Sequence, residues 1–223
     1  YQAVHVEGAR AIADAAKAAG VQRLVHMSGI GADQRNSTNK YVRSKVDAED
    51  AIIAGFESAT ILRPSVVFGP EDAMFNRMAQ IAAKAPFVPV VGSGMAKVQP
   101  VFVGDVGAAA AAVLRRPETA KTVFELGGPR VYTYREIAAL VLREIARDKP
   151  IIGVPAGLMK IAGFLAEFLP VPPLTHDQVD LLVTDNVARP GAPGLAALGI
   201  TPTAAEAILP TYLDRYRLGG RYN

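Results

Sequence analysis

Short apolar runs alternate along this chain with segments of helical spacing, and that alternation commits it to a parallel sheet flanked by helices. Ala3 to Ala19 is Ala-rich with helical spacing and stops at Gly20, a residue suited to the left-handed position past a helix end. Gln22 to Met27 is predicted as a strand buried on both faces. A polar loop runs from Ser28 to Lys40, helical spacing returns from Tyr41 to Phe56, and Ala59 to Leu62 is a second buried strand closed by Arg63-Pro64. After Gly69-Pro70, prolines and glycines cut the chain into short pieces. A strand is predicted near Pro100 to Val103, a small-residue helix over Ala108 to Leu114, and a strand over Phe124 to Leu126. Thr133 with Glu136 three residues on forms a capping box that opens a helix to Ile145. Helical hairpins, prolines and a polar tail make up the rest.

Half of the 223 residues are apolar and a fifth are charged, the balance of a globular chain long enough for a sizeable core. The net charge is only +3, and Arg115-Arg116 is the one basic pair. With no basic stripe interleaved by aromatics, a nucleic-acid partner is excluded. The absence of cysteine excludes disulfides, thiolate metal sites and a Cys nucleophile. His5, His26 and His176 lie too far apart for metal-ligand spacing. The apolar stretch from Ile151 to Leu174 is broken by Lys160, Glu167 and prolines, so it does not read as a membrane span.

The chemistry concentrates in Tyr41-Val-Arg-Ser-Lys45. Residues four apart on a helix share a face, so phenol and ammonium can approach one ligand. A neighbouring ammonium favours the phenolate and makes Tyr a usable acid/base, while the same Lys can donate to ribose hydroxyls. Ser28 follows the preceding strand, at the carboxyl end of the sheet where open α/β folds bind ligands. There its hydroxyl can hydrogen-bond the oxygen on which Tyr41 acts. Tyr-x-x-x-Lys alone is weak, since a chain of this composition holds roughly 0.25 such matches by chance. The order strand, Ser, loop, Tyr-x-x-x-Lys helix, strand, Arg-Pro is what gives it weight.

In that order the chain resembles the extended and atypical extended short-chain dehydrogenases, the NAD(P)-dependent epimerase/dehydratase superfamily. The matching segments are Val6 to Arg10, Gly20 to Ser28, Tyr41 to Lys45, Leu62 to Pro70 and Phe102 to Val106. Within the superfamily it resembles the nucleotide-binding accessory subunit family of respiratory complex I. That likeness rests on Tyr41 to Lys45, Phe68 to Asp72, Glu125 to Pro129, and Leu174 to Gln178 followed by Asp185-Asn186. The resemblance implies Ser28, Tyr41 and Lys45 as the catalytic-type triad. It implies Met27, Ser28, Tyr41, Lys45, Pro64, Ser65 and Val67 as cofactor-binding residues, with Lys45 on the nicotinamide ribose. Arg63 and Asp105 are expected to be structural. The implied cofactor is NADP(H) or NAD(H), with the preference open.

The implied fold is α/β, a Rossmann-like parallel sheet, N-terminally truncated, with a small mixed C-terminal lobe. Residues 1–70 and about 101–128 are assigned to the dinucleotide-binding part, and about 71–100 and 129–223 to a substrate or interaction lobe. The sequence contains no Gly-rich turn between strand and helix. Gly29-Ile-Gly31 and Gly92-Ser-Gly94 lack the third glycine and its context. The natural polypeptide is expected to carry roughly 80–100 further N-terminal residues, the length of the missing strand–helix units. Active members of the superfamily usually carry Asn where His5 stands.

Two functions are compatible with this pattern. The first is a nucleotide-binding scaffold, cytoplasmic and peripheral at the inner membrane, with respiratory complex I subunits or another membrane-associated protein as partner. The stretch from Leu158 to Leu174 would offer an amphipathic surface for such a partner, or cover the protein's own core. The second is a small-molecule oxidoreductase or epimerase with Tyr41 as general acid/base. Turnover separates the two.

Overall fold

A computed structural model of the chain describes residues 2–166 and 176–219. A π-helical segment, Gln2–Glu7, leads into α1 (Gly8–Ala18), β1 (Val25–Met27), α2 (Lys40–Gly55) and β2 (Thr60–Pro64). There follow β3 (Val67–Phe68), α3 (Met74–Lys84), β4 (Val88–Val91), β5 (Lys97–Val98), β6 (Val101–Phe102) and α4 (Val103–Arg115). Then come β7 (Val123–Leu126), β8 (Tyr132–Thr133), α5 (Tyr134–Glu144), β9 (Ile151–Val154), α6 (Ala156–Ala166) and α7 (His176–Leu182). Two short helices, α8 (Ala205–Ile208) and α9 (Pro210–Leu213), are followed by a single 3-10 turn, Asp214–Tyr216. Leu174 and Thr175, and with them part of the expected Leu174 to Gln178 motif and of the Leu158 to Leu174 surface, lie outside the described residues.

The chain divides into two compact units. The first comprises residues 1–65, 103–127 and 188–202 and carries a three-stranded parallel sheet in the order β1-β2-β7. Val25 pairs with Thr60, and Leu62 with Phe124. The crossover from β1 to β2 is α2, as parallel pairing demands. The α1–α2 packing depends on small residues: Ala9, Ala13 and Ala48 are buried with Ile52 and Phe56, and a Cβ on Gly55 would come within 2.7 Å of the Ala13 methyl. Arg23 ties the end of α4 to the unit, donating to the carbonyls of Val113, Arg116 and Pro117 at 2.8–2.9 Å and to Thr119 Oγ1. These carbonyls are also engaged locally, by the N–H groups of Arg116, Thr119 and Ala120, so Arg23 adds a charged second donor at the helix end.

β2 is buried throughout, as expected of a central parallel strand. β1 departs from the expectation: Met27 is 42% exposed. The reason is position, because among the described residues no strand pairs with the other edge of β1. A second difference concerns residues 188–202, which belong to this first unit although the sequence reading grouped 129–223 together. Arg189 N–H donates to Glu125 Oε2, and Glu125 N–H donates to the Pro193 carbonyl, so this irregular segment closes the outer edge of β7.

The second unit comprises residues 66–102, 128–187 and 203–223. It is mixed: β3 with β6 and β4 with β9 are parallel pairs, β5 with β8 is antiparallel. Its core gathers Phe68, Phe75, Ile137, Val141, Leu209 and Leu213. Thr133 caps α5 with the expected reciprocal box: its Oγ1 accepts from Glu136 N–H, and its N–H donates to Glu136 Oε2 at 2.7 Å. Gly128 is required by close approach, since a Cβ there would lie 1.9 Å from the Pro100 carbonyl oxygen.

Candidate functional site

The carboxyl end of the first unit's sheet carries the candidate residues. Beyond β1 the chain keeps its course beside β2, with Ser28 N–H donating to the Leu62 carbonyl and Ile30 N–H to the Pro64 carbonyl. Ser28 is thereby buried, and its Oγ has no hydrogen-bond partner among the described residues. His26, two residues earlier and so on the same face of the strand, has a buried Nε2 in the same condition. Buried polar atoms are nearly always satisfied, so two orphans on one face of one strand mark a place where a bound molecule or water would be stabilised.

The loop from Ser28 ends at Asn39, whose Oδ1 accepts from Tyr41 N–H at 3.0 Å and Val42 N–H at 3.2 Å. This N-cap starts α2 and sets Tyr41 in its first turn. One turn on, Lys45 Nζ lies 5.8 Å from the Tyr41 ring centroid. The His5 ring meets the Tyr41 ring edge to face, with centroids 5.9 Å apart. Ser44 Oγ donates to the Tyr41 carbonyl at 2.7 Å and sits 2.9 Å from His5 Nδ1. Because the hydroxyl proton is directed at the carbonyl, the oxygen accepts from His5, which assigns its proton to Nδ1.

Burial draws the Lys45 amine below the ordinary lysine range, with the Glu49 carboxylate pulling the other way. Burial, then the Lys45 charge, lowers the pKa of both His26 and His5. Both imidazoles are thus biased toward their neutral form by burial and by the Lys45 charge. An ammonium facing a phenol favours its ionised form, and a Tyr–Lys pair of this kind can pass a proton to or from a carbonyl or hydroxyl placed against the phenol.

Below the pair, Arg63 on β2 holds Glu49 on α2 through Nε–Oε1 at 2.8 Å and Nη2–Oε2 at 2.6 Å. Tyr41, Lys45 and Glu49 follow one another at steps of four, a stripe on one helix face. The Glu49 step, His26 and Ser44 are functional neighbours that the sequence reading did not single out, although the spacing would have exposed Glu49.

Of the other expected residues, Met27 is partly exposed at the end of β1. Pro64 ends β2 opposite Leu126, and Ser65 is buried with its N–H donated to the Leu126 carbonyl. Val67 belongs to the second unit, on β3, where it pairs with Val101. Asp105 is buried in the first turn of α4. A groove of about 570 Å³ between α1 and α2, edged by Arg10, Asp14, Asp47 and Asp50, shares no residue with the Ser28, Tyr41 and Lys45 constellation.

The sequence profile of the NAD dependent epimerase/dehydratase family matches residues 1–127. The 40 kDa subunit of mitochondrial NADH-ubiquinone oxidoreductase from Neurospora crassa is 34% identical over 225 residues, covering 100% of this chain and 58% of that protein. Subunit 9 of the NADH dehydrogenase [ubiquinone] 1 alpha subcomplex from Rattus norvegicus is 32% identical over 97% of the chain and 58% of its own length. A ceramide reductase from Caulobacter vibrioides is 33% identical over 75% of the chain and 52% of its length. The chain therefore spans a little over half the length of these curated relatives. Among solved structures, an epimerase from Methanothermobacter thermautotrophicus superposes with a TM-score of 0.72 at 16% identity, covering 96% of this chain and 65% of that one. UDP-glucose 4-epimerase from Thermus thermophilus, complexed with NAD, gives 0.65 at 18%, covering 96% and 70%. These last two show the shared α/β fold. With its profile matched over more than half the chain, and with the Tyr–Lys helix following a strand-end serine, the chain belongs to the NAD dependent epimerase/dehydratase family.

Proposed function

We propose that the natural protein binds NADP(H) or NAD(H) as a nucleotide-holding accessory subunit of respiratory complex I, peripheral at the inner membrane. The observation that carries this reading is the Tyr41–Lys45 pair on the first turns of α2, adjoining a sheet end where the buried Ser28 hydroxyl has no partner among the described residues. In it, Lys45 would hold the ribose hydroxyls at the nicotinamide end, Pro64 and Ser65 of the same unit would line that end, and Ser28 and Tyr41 would serve the reacting atoms. A bound nicotinamide would supply hydride chemistry, and the phenol would supply or take up the accompanying proton. Relatives named as complex I subunits support the choice of partner. Among the described residues no helix is long and apolar enough to cross a membrane.

A second reading, a reductase or epimerase acting on a small molecule, is favoured by the presence of Ser28, Tyr41 and Lys45 together and by the ceramide reductase relative. In that case Tyr41 acts as general acid/base.

The test is to denature the purified full-length protein and identify any released nucleotide by mass spectrometry. NADP(H) or NAD(H) is the expected product. An empty protein that also binds neither on titration would refute the proposal. Turnover lost in Tyr41→Phe with nucleotide still bound would favour the second reading over the first.

A further inference from the structure

Five charged side chains of the first unit form a chain of alternating sign. Glu49 pairs with Arg63, and Arg63 Nη1 lies 3.8 Å from Glu125 Oε1. Glu125 accepts from Arg189 through its N–H and Nε, both at 2.8 Å, and Arg189 Nη1 reaches Asp33 Oδ2 at 3.0 Å. Glu49, Arg63 and Glu125 are buried, whereas Arg189 and Asp33 are exposed. The sequence positions give this its meaning. Asp33 lies in the loop whose two ends are Ser28 and, past the Asn39 cap, Tyr41. Arg189 comes from the segment closing the far edge of β7, and β2 separates β7 from β1. The guanidinium therefore straps that loop from across the sheet.

We infer that Arg189 is a positioning residue, which fixes the 28–39 loop by joining Asp33 to the buried Glu125 and so keeps Ser28 and Tyr41 in place for a bound nucleotide. The inference rests on the nucleotide-binding reading above for its functional half. A buried carboxylate is a firm anchor: Glu125 has little water to turn to, so its hold on Arg189 is stronger than an exposed pair would be. Arg suits the task because its fork can address two carboxylates at once, which a lysine cannot do with the same geometry.

Asp33→Asn, Arg189→Lys and Arg189→Ala in the full-length protein test this. Two quantities are read: amide hydrogen exchange of peptides covering residues 28–39, with β2 peptides as control, and the Kd for NADPH and NADH by calorimetry. Asp33→Asn removes only the exposed leg and leaves Glu125 paired, so the fold survives it. It is expected to speed loop exchange and raise the Kd by about threefold or more, the scale of one such ion pair. Arg189→Ala should do more, with Arg189→Lys between them, and β2 exchange should not change in Asp33→Asn. Loop exchange and Kd unchanged in both Asp33→Asn and Arg189→Ala would overturn the inference. Faster exchange with an unaltered Kd would overturn the positioning role while leaving a structural strap. Should wild type bind neither nucleotide, the functional reading fails on its own, and loop exchange alone decides whether Arg189 holds the loop.

Discussion

Arg63 and Glu49 meet side on through two parallel hydrogen bonds, 2.8 and 2.6 Å, with both side chains less than a tenth exposed. A pair so placed fixes the relation of α2 to β2, and hence of Lys45 to the sheet end. Taking away one partner strands the other charge out of water, which costs about 3–5 kcal/mol, whereas replacing both by apolar groups costs far less. Arg63→Met is therefore expected to lower the urea midpoint severely. The double variant Glu49→Leu/Arg63→Met should be more stable than Arg63→Met alone, because Glu125 keeps Arg189 as partner.

Arg23 should matter for a different reason. It gathers three carbonyls at the end of α4 and the Thr119 hydroxyl, adding charge-assisted bonds to groups that the local turn already engages. Arg23→Ala is expected to cost about 2 kcal/mol, with each charge-assisted bond contributing part of that. Arg23→Lys, which cannot fork, should recover less than half of the loss. Thermal unfolding of the three proteins decides it.

Two glycines make opposite predictions. At Gly128 an added methyl would overlap the Pro100 carbonyl oxygen at 1.9 Å, so Gly128→Ala must shift backbone and should unfold the second unit or lower its Tm sharply. At Gly107, inside α4 and exposed, a methyl meets nothing within 4 Å. Gly107→Ala should therefore stabilise by about 0.5–1 kcal/mol, the helical difference between the two residues. Differential scanning calorimetry of both variants checks the pair.

What the sequence made legible follows from how local each signal is. The Thr133 capping box, the left-handed Gly20 past α1, the helix around Tyr41 and the strands β2 and β7 depend on neighbours within a few residues, and all stand in the structure. The pairing of β4 with β9 joins Val88 to Ile151 across more than sixty residues, and the run Ile-Ile-Gly-Val carries no alternation to announce it. The return of residues 188–202 to the first unit is likewise a long-range event, held by Arg189 and Glu125 and by the buried Leu195 and Leu198. At the site, Tyr41 and Lys45 were readable from helical spacing. His26 was not, since a histidine in a short apolar run says nothing about which face it takes or what lies opposite.

His26 also carries the last prediction, on pH. Its folded pKa is lowered from 6.5, by burial first and then by the Lys45 charge. The unfolded chain therefore takes up a proton at His26 more readily than the folded one. The sign is fixed: no stability is lost above the unfolded value, and stability falls as pH drops through 6.5 towards the folded pKa. His5, lowered for the same two reasons, adds to the slope in the same direction. Wild type should accordingly lose stability between about pH 7.5 and 5.5, a window in which carboxylates do not yet titrate. His26→Gln removes one titrating group and should lose less over that interval, leaving the His5 part. Urea midpoints at the two pH values give the answer, and equal slopes in both proteins would show that His26 reaches solvent as easily folded as unfolded.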